Sequence, residues 1–104
     1  MAAKKMSSSR RRGQSQICII TITGKDRVGI IANVANAMAK ANINIVDVNQ
    51  KIMENYFVMT MAVDIAKSAI SIPQIHNRLD KIADQMKLKI TFQDEIIFKM
   101  MHRV

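Results

Sequence analysis

The stretch Ile17–Gln50 constrains the fold more than any other part of the chain, because its apolar period changes twice within it. Ile17–Thr23 is rich in β-branched residues and reads as a strand, and Gly24-Lys25-Asp26-Arg27 breaks it with a turn-forming glycine and three charges. Beyond the break, Ile31, Val34, Ala35 and Met38 fall at i, i+3, i+4 and i+7 and predict one buried helix face, with Asn33, Asn36 and Lys40 elsewhere around it. Asp26 is expected at or just before the helix start, where a carboxylate accepts from unpaired backbone N–H groups and meets the positive end of the dipole. Ile43, Ile45, Val46 and Val48 then restore a strand pattern, with Asn44 near the exit from the helix.

The rest of the chain repeats the theme. Val46, Val48 and Ile52 alternate with Asp47, Asn49 and Lys51, and after the polar break Glu54-Asn55 a third strand carries Phe57, Met59, Met61 and Val63 on one face. So short a connection predicts an antiparallel hairpin. Ser71 is placed to cap a second helix with Pro73 in its first turn, and Ile72, Ile75, Leu79, Ile82 and Met86 trace its stripe. Leu88, Ile90 and Phe92 alternate as a fourth strand. The order β-α-β-β-α-β predicts an α+β, ferredoxin-like sandwich: a four-stranded antiparallel sheet in spatial order 4-1-3-2 with both helices on one face. Its open face would show Ile17, Ile19, Thr21, Val58, Thr60 and Ala62 at the centre, rimmed by polar edge residues, which marks a covered surface. Residues 94–104 add a short C-terminal amphipathic helix through Ile96, Ile97, Met100 and Met101, too short to be stable undocked.

At these residues the chain resembles the ACT domain, a small ligand-binding module of amino-acid metabolism. The matching pieces are the apolar first strand, the loop GKDRVGII with its Arg27-Val28-Gly29 opening a helix, and the return strand NINIVDV with Asn44. The resemblance covers about Ile17–Phe92, so residues 17–93 are expected to form an ACT-like domain, similar to short stand-alone members of the glycine-cleavage repressor type. It departs from the family where a proline often precedes the loop glycine, here Val28, and where some serine-binding members place a histidine and an asparagine, here Gly24 and Asp26. The resemblance implies the same sandwich fold, no catalytic domain, and ligands held across a dimer.

Composition narrows the partners. The formal charge is +8, but Lys4, Lys5, Arg10, Arg11 and Arg12 carry five of the sixteen positive charges, and the remaining eleven face eight acids, leaving the body near +3. Residues 1–16 are therefore expected to be a disordered basic tail whose nucleic-acid contacts are nonspecific. The one cysteine, Cys18, is expected to be a small buried hydrophobe. Having no intramolecular partner, it fits a reducing cytoplasm. No apolar run approaches the length of a membrane span, and no hydrophobic segment follows the basic N-terminus, so neither a membrane partner nor a secretory signal is expected.

Catalytic chemistry is not indicated. His76 and His102 lack a cysteine or carboxylate at recurring metal-ligand spacing, so no metal or cofactor is implied. The loop 24–29 lacks the lysine and Ser/Thr that a phosphate loop places after its second glycine. The candidate ligand residues are Asp26, Arg27, Val28, Gly29, Ile30 and Asn44. Gly29 allows close approach of the backbone, N–H groups at the helix start receive a carboxylate, Asp26 accepts from an ammonium group, and Asn44 both donates and accepts. In the 4-1-3-2 order Asn44 starts at the far end of the sheet from the loop, so one site needs both groups from two subunits. The expectation is a non-enzymatic module that senses a small molecule of the amino-acid class as a homodimer or higher homo-oligomer. Two alternatives stand beside it: an assembly module with no ligand, and an RNA-binding domain, although the open face lacks the aromatics that stack bases.

Overall fold

Strand β1 (Ile17–Lys25) is paired on both sides, and the rest of the chain is arranged about it in a computed structural model that describes residues 15–101. After β1 come α1 (Ile30–Lys40), β2 (Asn44–Met53), β3 (Tyr56–Asp64), α2 (Ile72–Met86), β4 (Lys89–Asp94) and α3 (Glu95–Met101). The sheet order is β2-β3-β1-β4 with every neighbouring pair antiparallel, as the alternation predicts. Register assigns the faces. Cys18, Ile20 and Ile22 of β1 stand opposite Val63, Met61 and Met59 of β3 and are buried with them beneath the helices. From above, α1 adds Ile30, Val34 and Met38, and α2 adds Ile75, Leu79 and Ile82. Met38, Met59 and Met61 fill the core, as their positions indicate, and Met86 packs at its edge.

Four details differ from the sequence pattern. The sheet-facing arc of α1 runs through Ile30, Val34, Met38 and Ala41, leaving Ile31 44% exposed and Ala35 half-buried. Second, Asp26 is not the cap of α1. Its N–H donates to the Asn55 carbonyl at 2.9 Å, tying residue 26 to the β2–β3 turn, so the helix starts later, with Gly29 as N-cap. Third, β2 carries a bulge: Ile45 stands opposite Val63 and Asp47 opposite Ala62, so Val46 is the extra residue and is 56% exposed rather than part of the alternation. Fourth, Asp94 ends β4, and its Oδ1 accepts from the Ile96 N–H at 2.8 Å where α3 begins.

Helix α3 settles on its own chain. It lies against β1 and β4, and Gln93, whose side chain is on the open face, donates from Nε2 to Met101 Sδ at 3.1 Å. Ile19, on that same face, is only 9% exposed. The expected basic tail lies outside the described residues apart from Ser15 and Gln16, and the end of the C-terminal helix beyond Met101 lies outside them as well. Gln16 is tied in: its N–H donates to Asp64 Oδ1 at 3.0 Å, and its carbonyl accepts from Ile65 N–H at 2.9 Å.

The N-terminus of α2 is a reciprocal cap. Ser71 Oγ accepts from Gln74 N–H at 3.3 Å, Gln74 Oε1 accepts from Ser71 N–H at 2.9 Å, and Pro73 stands in the first turn. Replacing Ser71 by Ala should lower stability by about 1 kcal/mol. Leu79→Ala, which opens a cavity at a residue 2% exposed, should cost about 2–5 kcal/mol. Urea denaturation of the two variants checks both magnitudes and their order.

Candidate functional site

The residues singled out from sequence occupy the two ends of one sheet. Lys25 stands opposite Tyr56 and Asn44 opposite Asp64, so the length of β3, roughly 25 Å at the usual rise per residue, separates the β1–α1 loop from the start of β2. At the loop end, Lys25, Asp26, Arg27 and Val28 are exposed, Val28 by 99%. Gly29 has φ 94° and ψ 0°, a left-handed conformation that side chains resist. Space does not dictate this glycine, since an added Cβ would meet only Asn33 Nδ2, at 3.5 Å. The φ angle does.

The start of α1 is left open. No side chain caps it, its first turn holds no acid, and the first N–H with a helical partner is that of Asn33, donating to the Gly29 carbonyl at 2.9 Å. The preceding N–H groups of the helix have no carbonyl within it and point out of its end, where an anion is favoured. Ile30 takes part only through its backbone, because its side chain is 2% exposed in the core.

At the other end, Asn44 opens onto a cleft of about 430 Å³ between the C-terminus of α1 and the end of β3, walled by Asn42, Asn44, Asp64, Ala66 and Lys67. Its walls are fixed by hydrogen bonds between side chains and backbone. Asn42, left-handed at φ 59°, donates from Nδ2 to the Lys67 carbonyl at 2.9 Å, and Asp64 Oδ1 accepts from the N–H groups of Gln16 and Ala66, each at 3.0 Å. Sequence reasoning reached Asn44 and missed Asp64 and Lys67. The two-residue turn alone would set Asn44 opposite Ile65, and the bulge at Val46 shifts the register by one residue to bring Asp64 opposite it.

His76 is exposed and packs edge-on against Phe92, with ring centroids 5.0 Å apart, and His102 lies outside the described residues. Among the described residues no group of His, Cys, Asp and Glu side chains could hold a metal ion. The Cys18 thiol is pushed up to about 11, first by burial and then by the negative charges of Asp94 and Asp64.

With both ends of the sheet in view, the sequence pattern that defines the ACT domain matches residues 16–93. The chain belongs to the ACT domain family. A UPF0237 protein of Clostridium acetobutylicum is 44% identical over 86 residues, which is 83% of this chain and 97% of that protein. An ACT domain protein from Streptococcus pneumoniae superposes with a TM-score of 0.69 at 29% identity, over 82% of this chain and 96% of that one. A putative glycine cleavage system transcriptional repressor superposes with a TM-score of 0.68 at 25% identity, over 77% of this chain and 46% of the other. ACT domains are typically regulatory ligand-binding modules. Among the described residues no helix is long and apolar enough to cross a membrane.

The raised thiol of this ACT domain has two measurable effects. At pH 8 iodoacetamide should label native Cys18 far more slowly than the unfolded chain, because the thiolate is the nucleophile. A folded-state value above the ordinary 9.0 contributes stability that is complete below about pH 9 and is lost as pH rises through about 11. Denaturation midpoints across that range check the sign, which Cys18→Ala should abolish.

Proposed function

We propose that this chain is a non-catalytic regulatory ACT module of the cytoplasm that binds a free amino acid between two copies of itself. The observation that carries this reading is an uncovered apolar strip along the β2 edge of the sheet. Val48 and Ile52 point to the helix side of β2, yet remain 44% and 50% exposed. Ile31 joins them from α1, on the flank away from Asn33, Ala37 and Lys40, which line the groove against α2. Met53, at the end of the strand, is 60% exposed.

The occupant that fits this strip is a second copy. Antiparallel pairing of β2 with its own counterpart sets the Asn44 end of one chain beside the Met53 end of the other, and that end also holds the β2–β3 turn bonded to Asp26. Groups at opposite ends of one sheet thereby come to one place. The open start of α1 in one subunit then receives the ligand carboxylate, and Asn44 of the second subunit contacts its polar end. The sequence pattern pointed to the open face of the central strands as the association surface. With α3 lying across β1 and β4, the β2 edge is the better candidate.

Sedimentation at tens of micromolar should show a dimer, and Val48→Asp with Ile52→Asp should give a folded monomer. A thermal-shift screen of the twenty amino acids should find at least one that raises the melting temperature of the wild type. Gly29→Val and Asn44→Ala should each abolish that shift while remaining folded. At a hundredfold excess over Kd the ligand should add about 2.7 kcal/mol. A dimer that no amino acid stabilises would favour the second reading, an assembly module without ligand, which the same apolar strip supports.

A further inference from the structure

We propose that the cleft at Asn44 is a clamp for the two charged ends of the amino acid, with Asp64 taking the α-ammonium group and Lys67 the α-carboxylate. This deepens the functional reading above and rests on it. The cleft is lined by one acid and one base that do not satisfy each other. Among the described residues the one ion pair is Lys99–Glu95, so Asp64 and Lys67 face the same space unbridged. Of the two, Asp64 is held by its setting, and the exposed Lys67 side chain is left to meet a ligand.

Asp64 is immobilised. Both backbone N–H groups that reach it, from Gln16 and Ala66, bind Oδ1, and Oδ2 has no partner among the described residues. Lys67 is positioned through its own carbonyl, which accepts from Asn42 Nδ2. Between them stand Asn44 and the end of α1, where Ala39 and Asn42 line the wall and the helix dipole favours a cation. Two of the three donors of an ammonium group match Asp64 Oδ2 and the Asn44 amide oxygen. A carboxylate has two oxygens, so it can serve Lys67 on one side and the open helix start of the second subunit on the other. A free α-amino acid presents both charges across one carbon, and a cleft of about 430 Å³ accommodates it with its side chain. Simple amines and simple carboxylic acids satisfy only one wall.

The test uses the full chain and titration calorimetry with the twenty L-amino acids. For the tightest of them it adds the matching 2-hydroxy acid, which lacks the ammonium group, and the methyl ester, which lacks the carboxylate charge. Asp64→Asn keeps an Oδ1 acceptor for Gln16 and Ala66 and removes the negative charge. Lys67→Gln alters an exposed side chain and leaves its carbonyl in place. Each should weaken binding about tenfold or more, with the melting temperature of the free protein unchanged for Lys67→Gln. The hydroxy acid should bind wild type correspondingly worse and lose nothing further in Asp64→Asn, and the ester should behave likewise with Lys67→Gln. Should both variants bind the amino acid as wild type does, while Gly29→Val and Asn44→Ala do not, the clamp is overturned and the interface site stands. If none of the twenty binds, both fall together.

Discussion

The pairing of β1 on both of its edges is the constraint from which the remaining structure follows. A strand paired with β3 along its whole length and with β4 from Cys18 to Thr23 has little free backbone. Its sequence is apolar or β-branched from Ile17 to Thr23. Because β1 and β2 are both antiparallel to β3, they run in the same direction, and the connection between them must cross the sheet as a helix. The start of α1 is thus fixed at one end of the sheet and its finish at the other. The loop and Asn44 inherit that separation.

Most of the architecture was legible in the sequence because period-2 and period-3.6 patterns alternate without overlap. Strand order and facing residues followed from them, down to Lys89, Thr91 and Gln93 sharing the open side of β4. What was not legible depends on what lies across from a residue. The phase of α1 is ambiguous in a helix with apolar residues at 30, 31, 32, 34, 35, 37, 38 and 39, and only the packed structure shows that Ile31 is left out. Nothing in the letters near Val46 announces a bulge. Asp26 looked like a cap because it precedes the helix, yet the Asn55 carbonyl, far along the chain, holds its N–H.

The candidate site divides in the same way. Gly29 and Asn44 were visible as residue types in a recurring pattern, and the structure gives Gly29 a left-handed φ that explains its identity without reference to a ligand. Asp64 and Lys67 were invisible because each is an ordinary polar residue at the end of a strand. Only the cleft shared by the end of β3, the end of α1 and the start of β2 gives them meaning.

The bulge at Val46 bears on how large an assembly this sheet can form. An edge strand with regular hydrogen bonding along its whole length accepts one neighbour after another once its partner exposes a matching edge, and that is how sheets grow into fibres. Here the extra residue interrupts β2 near its start, twisting it away from a flat template. The opposite edge, β4, is six residues long and leads straight into α3. Two copies joined through the longer β2 edge, as proposed, would use up both such edges, so growth of the sheet would end at eight strands, a closed pair rather than a polymer.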